Sequence, residues 1–137
     1  MNLENIKNIQ TLINYCRENN WQDFEKLTSF ILEENDFKAK HNIVKTLKKT
    51  KRQYDVIAES SNKIILIDCK KWSNNRYKSS ALKTAIKKHI ERAEFYKNFT
   101  NKEILPIIVT QHQEDITSHE NIPIIPITKL NWFLNEL

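Results

Sequence analysis

Residues 52–72, RQYDVIAESSNKIILIDCKKW, decide the fold. Two apolar segments, Tyr54–Glu59 and Lys63–Cys69, flank Ser60-Ser61-Asn62, whose small polar side chains favour a turn. The second segment, KIILIDC, is a continuous apolar run, as expected of a central strand covered on both faces. Strand side chains alternate, so Asp68 and Lys70 project to the side of Ile64 and Leu66, while Cys69 points to the other. One face thus changes from apolar to ionisable at its end, which costs stability unless the charges are paired or functional. A hairpin of the two strands could bring Asp55 beside Asp68. Two adjacent carboxylates repel each other, and a cation that joins them removes the repulsion. A hard divalent ion such as Mg²⁺ takes oxygen ligands of this kind and would polarise a phosphodiester. Lys70 could then orient or deprotonate the attacking water, or steady the charge that develops.

Spacing alone leaves two interpretations open. The triplet acid-x-Lys occurs twice, and its other instance, Asp36-Phe37-Lys38, has no apolar strand ahead of it and no upstream Asp on a neighbouring strand. Asp68-Cys69-Lys70 has both, yet its spacing also fits a surface ion pair at a strand end.

Outward from this stretch the periodicities change. Leu3, Ile6, Ile9, Ile13 and Cys16 predict an amphipathic helix over 3–18, an N-terminal extension covering residues 1–19. Asn20 is a candidate N-cap for a second helix to about Glu34, with Trp21, Phe24, Leu27, Phe30 and Ile31 on its apolar face. Phe37, Ala39, His41 and Ile43 alternate with polar residues as in a half-buried strand, and a basic connection follows from Lys45 to Arg52. A helix is expected over 79–99, capped by Ser79 or Ser80, with Leu82, Ile86, Ile90 (or His89), Ala93 and Tyr96 as its stripe. Ile104–Val109 and Ile122–Ile125 read as strands, Pro106 being tolerable only near an edge, and Thr128 as the cap of a last helix. The expected order, ααβββαββα, gives an α/β fold in which a mixed β-sheet is flanked by helices.

With 137 residues, 39% of them hydrophobic and 28% charged, the chain suits one globular domain. It has no apolar run of membrane-spanning length and no secretory h-region after Met1, so no membrane partner is expected. There is no glycine, which excludes phosphate-cradling Gly-rich loops, and no nucleotide cofactor is expected. Two cysteines, Cys16 and Cys69, are too few for a disulfide scaffold or zinc site and suggest a cytoplasmic setting. The net charge of +5 is unevenly spread. Residues 38–102 hold 18 basic side chains and five acids, a balance of +13, while the rest of the chain stands at −8. A polyanion-binding middle is implied.

A helix carrying Glu25, a strand with Asp55, then ILIDCKK and a long helix together resemble the PD-(D/E)xK nuclease superfamily. Within it the chain is similar to archaeal Mrr-like restriction endonucleases and Holliday-junction-resolvase-like proteins, over roughly residues 20–137. The resemblance implies a restriction-endonuclease-like αβββαβ core and a Mg²⁺-dependent DNA endonuclease acting as a homodimer, with Mn²⁺ able to substitute. It makes Asp55 and Asp68 metal ligands, Lys70 the catalytic lysine and Glu25 the helical carboxylate that completes the site, with the Cys69 carbonyl as a further ligand. Tyr54 stands where the motif name has Pro, and His89 where relatives often have Gln. Absent glycines count against the junction-specific alternative.

Lys45, Lys48, Lys49, Lys51 and Arg52 precede Asp55, and Lys71, Arg76 and Lys78 follow Lys70. All are candidates for DNA backbone contact, although charge runs are also commonly solvated. Lys83, Lys87, Lys88 and Arg92 recur at helical spacing as a basic face that runs along DNA or faces water. Glu25 is open to a solvated role as well as a catalytic one. His41, His89, His112 and His119 are too scattered for a zinc site. The expected activity is DNA phosphodiester hydrolysis, with junction resolution, RNA cleavage and non-cleaving nucleic-acid binding as rivals.

Overall fold

The computed structural model describes residues 21–70 and 78–137; the helix expected over 3–18 lies outside them. The elements are α1 (Trp21–Glu34), β1 (Lys38–Leu47), β2 (Thr50–Glu59), β3 (Lys63–Lys70), α2 (Lys78–Tyr96), β4 (Glu103–Thr110), β5 (Ser118–His119), β6 (Ile122–Pro126) and α3 (Ile127–Asn135). They form one six-stranded mixed sheet in the order β1-β2-β3-β4-β6-β5. Antiparallel pairing of β1 with β2 and β2 with β3 gives way to parallel pairing of β3 with β4 and β4 with β6. The expected αβββαβ core is present as α1 to β4. Among the described residues no helix is long and apolar enough to cross a membrane.

β3 is the spine, with all six residues from Ile64 to Cys69 buried. Ile65, Ile67 and Cys69 pack with Phe24, Leu27, Ile31 and Leu32 of α1 and Leu130 and Leu134 of α3. Ile64 and Leu66 face the other way, joining Ala93 and Tyr96 of α2. Leu82, Ala85 and Ile86 of α2 extend that layer over Ile108, Ile122 and Ile124. Each large aliphatic side chain buried here contributes roughly 1.5–3 kcal/mol.

Several expectations need correction. The basic segment Lys45–Arg52 is no loose connection: Leu47 pairs with Thr50, so β1 and β2 run on to a two-residue turn at Lys48 and Lys49. The alternation from Phe37 to Ile43 does not hold one face. Ala39 packs on the α1 side and Ile43 on the α2 side, and His41 is exposed. Asn42, at φ 56°, turns the strand over between them. Opposite Asn42 the same slip occurs in β2, since Tyr54 and Ile57 share the α2 layer while Val56 and Ala58 lie in the α1 layer. α2 starts at Lys78 and stops at Tyr96, and Pro126, not Thr128, is the N-cap of α3. The short strand β5, Ser118–His119, lies between the two expected strands. Pro106 is accommodated because β6 begins to pair with β4 only at Ile108.

Glycine's usual positions fall to other residues. Asp36 sits at φ 68° just past α1. Its N–H donates to the Glu33 carbonyl at 3.2 Å, and that of Phe37 donates to Leu32 at 3.2 Å, the pairing of a Schellman cap. An L-residue in this conformation costs about 1–2 kcal/mol, and an acid at a helix C-terminus opposes the helix dipole. Asp36→Gly is therefore expected to raise stability by roughly 1 kcal/mol and the melting temperature by a few degrees. Calorimetric melting checks it; an unchanged or lower midpoint contradicts it.

Candidate active site

The site is built where β2 and β3 stop pairing. Their ladder runs from Glu59 with Ile64 to Val56 with Ile67, and then the strands part. The next residues on either side are Asp55 and Asp68. With no β2 partner beyond Ile67, the Cys69 N–H donates to Asp55 Oδ2 at 2.9 Å. The side chain thus takes over a ladder bond, and the same bond fixes the Asp55 carboxylate against β3.

Asp68 is 4% exposed, at the end of the Ile64–Leu66 face. Its Oδ2 accepts no hydrogen bond. Among the described residues the nearest cations are Lys70 Nζ at 3.4 Å and Arg92 Nη1 at 3.8 Å. The two carboxyl groups lie within hydrogen-bonding reach of each other. Burial, then this neighbour, raises Asp55 from 3.8 to about 6, while the Cys69 N–H and Lys70 pull it back down. Two crowded, partly desolvated carboxylates with a buried oxygen left without a donor form a donor set that suits a hard divalent ion.

The other expected residues distribute as follows. Glu25 is half-buried on α1, on the Cys69 side of the sheet, close enough for its charge to act on the Cys69 thiol. Among the described residues no three His, Cys, Asp or Glu side chains form an ion-holding group. Cys69 is buried, its Sγ 3.9 Å from Thr28 Oγ1, and burial pushes its thiol well above the ordinary value. It is a core residue, as alternation implied. Lys70 stands with Asp68, half-buried. Arg52 turns back onto α2, where its guanidinium grips Glu91 with Nε 2.8 and 2.9 Å from the two carboxylate oxygens. It also covers Phe95, 5.3 Å from the ring centre. Lys45 lies 5.8 Å from the Tyr96 ring centre and 5.6 Å from that of Phe99. Lys48, Lys49 and Lys51 are exposed at the hairpin tip. Lys71, Arg76 and the side chain of Lys78 lie outside the described residues.

Two α2 residues have roles that the sequence did not reveal. His89 is 1% exposed, with Nε2 2.8 Å from the Leu66 carbonyl, so that nitrogen carries the proton. Burial lowers it to about 4 and keeps it neutral at pH 7. It ties α2 to β3 two residues before Asp68. Arg92 belonged, by spacing, with Lys83, Lys87 and Lys88, yet it faces Asp68. The available signal was its place three residues after His89 and four before Tyr96, on the flank of the buried stripe.

The raised Asp55 has a pH consequence in metal-free buffer. Its protonated form is favoured by folding, so its contribution is full below about pH 4 and is lost as pH rises through about 6. Stability should fall by up to about 2 kcal/mol across that window. Asp55→Asn can still accept the Cys69 N–H and should flatten the fall. Denaturant midpoints from pH 4 to 7 in chelator measure it; equal slopes for both proteins would contradict the assignment.

Comparison with known proteins identifies a family and a fold. The family model described as NERD, nuclease-related domain, matches residues 20–128. An uncharacterized protein of Archaeoglobus fulgidus is 32% identical over 117 residues, which are 85% of this chain and 91% of that one. The crystal structure of a protein of unknown function, AF1548, superposes with a TM-score of 0.52 at 24% identity, over 66% of this chain and 47% of that one. Protein VC1899 from Vibrio cholerae gives a TM-score of 0.57 at 14% identity, over 85% of this chain and 33% of that one. The present chain thus spans about half of the first structure and a third of the second. The small subunit of the heterodimeric restriction endonuclease R.BspD6I gives a TM-score of 0.56 at 15% identity, over 93% of this chain and 77% of that one. At these identities the structures speak for the fold alone, and that fold is restriction-endonuclease-like. By the match across most of its length, the chain belongs to the nuclease-related domain family.

Proposed function

We propose that this chain is a metal-dependent DNA endonuclease that hydrolyses phosphodiester bonds. The observation that carries this is the convergence of Asp55 and Asp68 at the parting of two strands, with Lys70 beside them. Asp55 and Asp68 would hold Mg²⁺ or Mn²⁺, with Glu25 and the Cys69 carbonyl as the further ligands implied by the superfamily. The ion supplies positive charge that offsets the carboxylates and draws electron density from the phosphate. Lys70, close to the pair and half-exposed, positions the attacking water and steadies the negative charge that develops. Leu66 and Ile64 behind Asp68 exclude water from the inner side, so these charges act in a medium of low polarity.

The DNA backbone would run past the hairpin tip, with Lys48, Lys49 and Lys51 against phosphates. Arg52 and Lys45, held on α2, set the position of that tip. One site cuts one strand, so cutting both requires a homodimer, which sedimentation with and without DNA would test.

Cleavage is tested on linear, methylated, flapped, four-way and RNA substrates with Mg²⁺ or Mn²⁺. Wild type should cut DNA, and Asp68→Ala and Lys70→Ala should each lose on the order of 100-fold or more. Binding without cutting on every substrate would favour a non-cleaving binder, while preference for four-way DNA or for RNA would reassign the substrate. In a separate binding assay, charge reversal at Lys48 and Lys49 should reduce the salt dependence of log K by about 1–2. An unaltered slope would remove the hairpin from the interface.

A further inference from the structure

We propose that Arg92 is a catalytic residue of this site, its guanidinium moving from Asp68 to the scissile phosphate once the carboxylate pair holds a divalent ion. This rests on the nuclease assignment above and adds a residue to it. Asp68 Oδ2 is flanked by two cations that reach it from different elements, Lys70 from β3 at 3.4 Å and Arg92 from α2 at 3.8 Å. Neither forms a hydrogen bond with that oxygen. Arg52 shows how an arginine of this chain engages a carboxylate it is built to hold, with bonds of 2.8 and 2.9 Å to Glu91. Arg92 makes no such fork with Asp68. Its backbone, by contrast, is fixed: Tyr54 Oη donates to the Arg92 carbonyl at 2.7 Å, and Tyr54 packs edge-on against Tyr96. His89 and Ala93, on either side in the helix, are buried. The helix therefore delivers the guanidinium to the site, half-exposed and without a closed partner.

In the ion-free protein Arg92 and Lys70 supply the countercharge that two adjacent carboxylates need. An ion on the carboxylates repels both and leaves the DNA phosphate as the anion presented to them at the site. A planar guanidinium matches two phosphate oxygens at once, which an ammonium does not. During hydrolysis the water oxygen bonds to phosphorus, and one ester P–O bond breaks with its electron pair on the leaving oxygen. The attacking water gives a proton to solvent, and the leaving oxygen takes one up. Charge on the non-bridging oxygens is greatest between these events, where the guanidinium binds most tightly.

The test compares wild type with Arg92→Gln and Arg92→Lys, each first shown to melt within a few degrees of wild type. Mn²⁺ affinity without DNA is measured by titration calorimetry, and single-turnover cutting is measured at saturating Mn²⁺. Arg92→Gln should bind Mn²⁺ several-fold more tightly, because a competing charge has gone, yet cut about 100-fold more slowly. Arg92→Lys should keep wild-type Mn²⁺ affinity and recover part of the cutting. Weaker Mn²⁺ binding with lost cutting would mean that Arg92 only holds Asp68 in place, and overturns the inference. So do an unaltered Mn²⁺ affinity and an unaltered cutting rate. Wild type that never cuts sinks the nuclease assignment and this inference together; wild type and Arg92→Gln that cut alike sink this inference alone.

Discussion

The bond from the Cys69 N–H to Asp55 Oδ2 is the constraint on which the site depends. Two antiparallel strands that stay paired bury their ladder and leave no room for a charged group between them. Here pairing ends after Val56 and Ile67, and the freed N–H must find an acceptor, since an unpaired buried donor costs about 1–3 kcal/mol. Asp55 provides it without closing the gap. The same carboxylate is thereby pressed toward Asp68, and the resulting repulsion creates the demand for a cation. Structural satisfaction of the backbone and the chemistry of the pair have one origin.

The charge pattern follows from this. The basic middle of the sequence is divided by the fold into two populations. Arg52 and Lys45 are spent on α2 and the turn after it, against Glu91 and the rings of Phe95, Tyr96 and Phe99. Those contacts fix the hairpin, and at exposed positions each is worth little alone. Lys48, Lys49 and Lys51 remain in water beyond them. A run of five cations is thus two anchors and three free charges, a division invisible in composition.

Much of the layout was legible from sequence. KIILIDC reads as a doubly covered strand because its apolar run has no polar interruption, and both faces are indeed covered. The pairing of Asp55 with Asp68 followed from the short turn between their strands, and the inward direction of Cys69 from alternation alone. The misses share a cause. Asn42 at φ 56° inverts the side-chain faces of β1, and Lys48 at φ 55° makes a tight turn where five basic residues suggested a loose loop. Without glycine, such positive-φ positions have no marker in the sequence. Helical spacing places Arg92 near Lys88 as well as near His89, and only tertiary packing of α2 decides which neighbour counts. Glu25 joins the pair only through the superfamily resemblance, since α1, which carries it, packs on the Cys69 side of β3 and spacing along a helix does not set its distance from Asp68.

Among the described residues the order of the strands leaves two open margins, and each is blunted by a different device. On one side β5 is only two residues long, too short to template another strand. On the other, β1 offers ten residues of backbone, a length that invites a second molecule to add itself edge to edge. Lys38, Lys40 and Lys45 along that margin, with Lys48 and Lys49 at its tip, would meet their own copies in such a pairing. The surplus of positive charge therefore also acts as a guard against aggregation, one that high salt would weaken and a bound polyanion would neutralise.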